Sequence, residues 1–125
     1  MAAYECQQAR FSKKFLPALL GPLFLALGGC AVAETPAAPA GNPHLEQGQA
    51  VYASACRSCH GATGGGGGST PALNNGIVDR FPDKADQVAV VADGRGGMPG
   101  YSDRLSDEEI SAVVDYIREV LDEGA

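Results

Sequence analysis

Hydrophobic positions along this chain fall into distinct patterns. Phe15–Leu27 is a nearly continuous apolar run that contains Pro17, Gly21 and Pro22. Leu45, Gly48, Val51, Tyr52 and Ala55 recur at helical spacing and predict a first helix over Leu45–Ser58. Asp83 reads as the N-cap of a second helix over Asp83–Ala92, with Val88, Val91 and Ala92 as its apolar stripe and Gly94 as its stop. The third helix, Ser106–Leu121, carries the clearest signal. Ser106 and Glu109 form a capping box, and Asp107, Glu108 and Glu109 place negative charge at the positive end of the helix dipole. Ile110, Val113, Val114, Ile117 and Leu121 line one face of it. No stretch alternates as a strand would. Gly64–Gly68, five glycines in a row, reads as a mobile loop.

The apolar run follows Arg10, Lys13 and Lys14, which makes residues 1–33 an export signal: a positive segment, then an apolar segment too short to span a membrane comfortably. An uncleaved anchor is the alternative. Two cleavage sites compete. Ala31-Val32-Ala33 has the small-x-small form and would leave Glu34 as the new N-terminus. Leu27-Gly28-Gly29-Cys30 resembles a bacterial lipobox, in which cleavage before Cys30 leaves that residue lipidated and the protein attached to a membrane. Residues 34–43, rich in Ala and Pro, read as a semi-rigid linker, and residues 44–125 as the folded domain.

Composition narrows the field further. About eighty residues can bury only about 60% of their unfolded surface, so a domain this small normally needs a disulfide, metal or cofactor as a staple. The chain contains no Trp and few aromatics, and a large covalently held group would supply the missing apolar core. Its net charge is −6, and loss of the leader with Arg10, Lys13, Lys14 and Glu5 leaves about −8. That balance excludes the basic footprint that nucleic-acid binding requires. Docking would use a basic patch on a partner, or no charge at all.

Of the four cysteines, Cys6 lies in the leader and Cys30 at its end, so a two-disulfide scaffold has little to build on. Cys56-Arg57-Ser58-Cys59-His60 is the C-x-x-C-H pattern of c-type haem attachment. Two thiols on one helical turn can form thioethers with the two vinyl groups of one porphyrin, and the next residue presents an imidazole to the iron. A zinc site would want four ligands, usually two such pairs, and His44 is the sole distant extra nitrogen after the leader. A thioredoxin-type redox motif would need a βαβ unit, which the pattern lacks.

Over residues 43–121 the chain resembles the class I c-type cytochromes. The resemblance implies an all-α cytochrome c fold, three main helices wrapped around one covalent haem c with glycine-rich loops. It implies haem attachment at Cys56 and Cys59, with iron ligated by His60 and by a methionine on a loop before the last helix. Met98 in Gly94-Arg95-Gly96-Gly97-Met98-Pro99-Gly100-Tyr101 matches that Met-Pro step. Pro71 matches a family proline whose carbonyl accepts the Nδ1 hydrogen of the haem histidine, and Leu73 would pack on the macrocycle. Gly48, Tyr52 and Tyr116 resemble the family's helix-crossing contact. The glycine run departs from the pattern, and the aromatic or arginine often found near the haem propionates has no clear counterpart, with Arg80, Arg95 and Asn74 as candidates.

The function so implied is a carrier, not an enzyme, that shuttles single electrons in the cell envelope between larger redox proteins such as a quinol-oxidising complex and a terminal oxidase. A haem enzyme or a gas or peroxide sensor with a labile Met98 is the second hypothesis, and a haem-free structural module the third. Mass spectrometry of the mature N-terminus decides the cleavage question. A diacylated Cys30 is expected of a lipoprotein, whereas an unmodified Glu34 start ends that reading.

Overall fold

The computed structural model describes residues 33–122. All but the last residue of the export segment, Cys30 included, lies outside the described residues. Among the described residues no helix is long and apolar enough to cross a membrane.

Helix α1, Pro43–Val51, begins two residues before its apolar pattern does. Asn42 caps it, its side chain accepting from Leu45 N at 3.2 Å, and Pro43 follows where a missing N–H does no harm. The helix continues into one wide π turn, Tyr52–Cys56, in which Arg57 N–H donates to the Tyr52 carbonyl, and then into α2, Arg57–His60. Gly61, at φ 81°, stops it. A four-residue helix α3, Ile77–Arg80, was not expected. It is shorter than the pattern needed to reveal it, and Ile77 is its one buried residue. Helix α4, Lys84–Asp93, is capped by Asp83, whose side chain accepts from Ala85 N at 2.9 Å.

A two-stranded antiparallel hairpin, β1 Gly94–Arg95 with β2 Met98–Pro99, joins the helices of this all-α fold without any alternating pattern to announce it. Strands of two residues are too short to show alternation, and Gly and Pro are poor strand formers. The Gly96-Gly97 turn between them was the available signal. Helix α5, Asp107–Tyr116, has the capping box in full: Glu109 N donates to Ser106 Oγ at 3.2 Å, and Ser106 N to Glu109 Oε2 at 2.9 Å. A second π turn, Ile117–Leu121, extends it.

The core is the crossing of α1 and α5. Leu45, Gly48, Val51 and Tyr52 face Ile110, Ala112, Val113, Val114 and Tyr116, all buried. A Cβ on Gly48 would lie 2.7 Å from Tyr116 Cβ and 2.8 Å from the Ala112 carbonyl carbon, so the helices could not meet this closely with any side chain at position 48. The rings of Tyr52 and Tyr116 fill the notch, 5.7 Å apart and tilted by 47°. Each hydroxyl finds a backbone acceptor: Gly61 O for Tyr52, at 2.8 Å, and Pro36 O for Tyr116.

That last bond belongs to a strap. The segment expected as an extended linker lies against the helices over Pro36–Gly41. Ala38 N donates to Gln49 Oε1 at 2.9 Å and Gly41 N to Glu46 Oε1 at 3.1 Å, while Ala38 packs on the core. On the outside, Asp115 of α5 accepts from Lys84 of α4 at 2.6 Å and from His44 of α1 at 2.8 Å, and Lys84 also reaches Ser111 at 3.0 Å. Three helices are thereby clipped together. His44, the extra nitrogen weighed for a zinc site, is one arm of that clip.

Burial pushes the Asp115 carboxyl upward, but the bonds from Lys84 and His44 outweigh it and hold the group below its ordinary value. A carboxyl that ionises more readily when folded stabilises the fold above its unfolded pKa of about 3.9, and that stability is lost as pH falls through the lower folded value. Two predictions follow from these contacts. Gly48→Ala should destabilise the protein by about 2 kcal/mol or more in denaturant unfolding, because backbone and Tyr116 must both move. Asp115→Asn should cost about 1 kcal/mol at neutral pH, the partners being partly solvent-screened. The difference from wild type should begin to shrink in acid unfolding titrations below about pH 3.9 and vanish only once the pH has fallen beneath the lower folded value.

Candidate functional site

The π turn and α2 place the C-x-x-C-H residues on opposite sides of one short helical stretch. Cys56 and His60, four residues apart, are buried, whereas Ser58 and Cys59 are exposed. Both cysteines are free thiols. Burial, with a smaller contribution from Cys59, pushes the Cys56 thiol up to about 11, so it stays protonated at neutral pH.

The imidazole of His60 is held from a distant segment. Its Nδ1 lies 3.1 Å from the carbonyl oxygen of Pro71. A carbonyl can only accept, so Nδ1 carries the hydrogen, which leaves Nε2 as the nitrogen that can offer a lone pair to a metal. Pro71 is delivered by the glycine run. Gly66 N donates to the His60 carbonyl at 2.8 Å, Leu73 N donates to Gly64 O at 2.6 Å, and Gly67 and Thr70 exchange bonds of 3.2 and 3.0 Å. The expected mobile loop is therefore a folded turn. Gly64, Gly66 and Gly68 sit at φ of 79°, 68° and 59°, where glycine alone is unstrained. Arg80 clasps the far side, its guanidinium donating to the Ala72 carbonyl and to Gly76 O at 3.4 Å.

Leu73 is half-buried and packs on the core, as do Met98, Tyr101, Val88 and Leu105. Met98 sits in β2. The segment after it is pinned by Tyr101 N, which donates to Val91 O at 3.1 Å and Ala92 O at 3.0 Å, and by Ser102 N, which donates to Ala92 O at 3.1 Å. Tyr101 also donates its hydroxyl to Ala55 O at 3.0 Å, inside the π turn that ends in Cys56. This tie between the methionine segment and the cysteine segment escaped the sequence reading, and the position of Tyr101 three residues after Met98 was its sole trace. Of the residues considered for a propionate contact, Arg95 is exposed on the hairpin, Asn74 lies beside Gly64, and Arg80 is engaged as described.

Among the described residues no group of three His, Cys, Asp or Glu side chains gathers as a metal cluster, so a zinc tetrad lacks ligands here. The donor set suits an iron porphyrin: one imidazole with a free Nε2, one thioether sulfur on a separate segment, two reduced thiols, and a row of half-buried apolar side chains.

Comparison with known proteins agrees. Residues 43–117 match the family model described as cytochrome C oxidase, cbb3-type, subunit III. Cytochrome c6 of Bryopsis maxima is 36% identical over 86 residues, covering 64% of this chain and 96% of the relative. The structure of cytochrome c6 from the diatom Phaeodactylum tricornutum superposes with a TM-score of 0.57 at 26% identity, covering 65% of this chain and 98% of that one. Cytochrome cL from Hyphomicrobium denitrificans, at 23% identity and a TM-score of 0.53, shares the fold over 60% of this chain and 46% of its own length. From an all-α fold built on one helix crossing, and a family match spanning it from α1 into the final turn, the chain belongs to the family of the cbb3-type oxidase subunit III model and is a class I c-type cytochrome.

Proposed function

We propose that this chain is an exported one-electron carrier that holds haem c through Cys56 and Cys59 and binds its iron with His60 and Met98. Membership of the class implies covalent haem c. The observation that carries the finer reading is the bond between His60 Nδ1 and the Pro71 carbonyl, placed directly after the two thiols.

When bound, the haem supplies a one-electron iron couple; the protein's residues hold it and tune it. Pro71 fixes the ring of His60 and strengthens Nε2 as a donor. Met98 offers a soft sulfur that favours the reduced metal and raises the potential. Leu73 and its apolar neighbours keep water away, which disfavours the extra positive charge of the oxidised state. With imidazole and thioether both engaged, no position is left for a substrate. The pinning of the methionine segment through Tyr101 favours this carrier over a sensor with a labile ligand.

An acidic domain of about −8 would dock weakly and briefly on basic or neutral faces of a donor and an acceptor. A quinol-oxidising complex and a terminal oxidase are the partners proposed, reached by export through residues 1–33, with or without a lipid on Cys30. The name of the matched family favours a second arrangement, in which the same domain serves inside an oxidase. Co-purification with a membrane oxidase would select it.

Met98→Ala should retain a c-type spectrum while lowering the reduction potential and admitting carbon monoxide to the ferrous protein. An unchanged spectrum and potential would remove Met98 from the site, and rapid carbon monoxide binding by the wild type would favour the sensor. Cys56→Ala combined with Cys59→Ala should abolish acid-stable haem and leave little folded protein. A colourless yet folded wild type, exported from cells competent in haem attachment, would overturn the proposal.

A further inference from the structure

We propose that Gly66 is a positioning residue that sets the reduction potential by holding the Pro71 carbonyl against His60. The inference rests on the reading of His60 as an iron ligand, and adds a role for the glycine run that neither motif nor family match assigns.

The geometry is specific to one of the five glycines. A Cβ on Gly66 would lie 2.5 Å from Thr70 O and 2.9 Å from both the Pro71 carbonyl carbon and the Ala72 nitrogen. All three are backbone atoms, which cannot swing aside as a flexible side-chain end could. The same residue donates its N–H to the His60 carbonyl at 2.8 Å. Gly66 thus meets the backbone of both residues that make the His60–Pro71 hydrogen bond, and its lack of a side chain is what allows that approach. Its neighbours do not share the role. Gly68 has the same left-handed conformation, φ 59°, with nothing within 4 Å of a Cβ. Gly65 is not left-handed and would meet no atom closer than 3.9 Å.

A side chain at position 66 must push the segment Thr70–Ala72 away from the loop. The carbonyl of Pro71 then moves relative to Nδ1 and the hydrogen bond changes length or angle. A weakened bond makes the imidazole a poorer donor, which stabilises the oxidised metal less, so the potential rises. Strain alone predicts something different: a loss of stability without a change at the metal.

The test compares Gly66→Ala, Gly68→Ala and Gly65→Ala in the exported holoprotein. The readouts are the reduction potential and the NMR resonance and solvent exchange of the His60 Nδ1 proton. Gly66→Ala should raise the potential and speed exchange of that proton. Gly68→Ala should lower the unfolding midpoint while leaving both readouts at wild-type values, and Gly65→Ala should change neither. A Gly66→Ala potential equal to wild type, in protein that keeps its c-type spectrum, would overturn the positioning role while leaving the haem assignment intact. If His60→Ala kept the wild-type spectrum, the ligand assignment itself would fail. Should Gly66→Ala not assemble, insertion of one glycine after Gly67 loosens the Gly67–Thr70 turn without adding a side chain. It should also raise the potential, and an unchanged value there would refute the proposal.

Discussion

The close approach of two helices at Gly48 is the constraint on which the rest of this small domain depends. Because position 48 has no side chain, α1 can press its backbone neighbourhood onto Ala112 and Tyr116, and the two tyrosine rings close the gap beside it. The apolar faces of both helices are buried around this contact. The other described elements add less: α3 is four residues long, the hairpin is four residues in all besides its turn, and α4 buries Gln87 and Val91. The crossing also fixes the chemistry. It sets the direction in which α1 runs through its π turn, and therefore where Cys56 and His60 are delivered.

A second layer of order is made of backbone hydrogen bonds, and it surrounds the site. Tyr101 links the methionine segment to the π turn, and the glycine run links His60 to Pro71 and Leu73. Few side chains take part. Positive-φ glycines and main-chain amides do the positioning, which suits a site whose apolar walls must stay free to contact a large planar group.

What could be read from the sequence follows the range of the interaction. The capping box at Ser106 and Glu109 and the Asp83 cap were visible because they join residues two or three apart. The C-x-x-C-H spacing was visible because its chemistry is local too. Gly48, Tyr52 and Tyr116 could be paired through resemblance alone, since nothing in the pattern of either helix says which faces meet. The glycine run was misread for a related reason: its order comes from partners at His60, Thr70 and Leu73, while its own composition carries no side-chain signal. Asp115 hid in the same way, as its two cationic partners stand on other helices.

The strap over Pro36–Gly41 changes what counts as the autonomous folding unit. Tyr116 is fully buried, and its hydroxyl has Pro36 O as acceptor. A fragment starting at His44 would lose that acceptor and the strap that covers the ring, along with the packing of Ala38 on the core. It would also remove the Asn42 cap and the Pro43 that starts α1. Truncation at the residue where helical periodicity begins would thus remove stability from a domain with little to spare, so the strap belongs to the folding unit rather than to a tether.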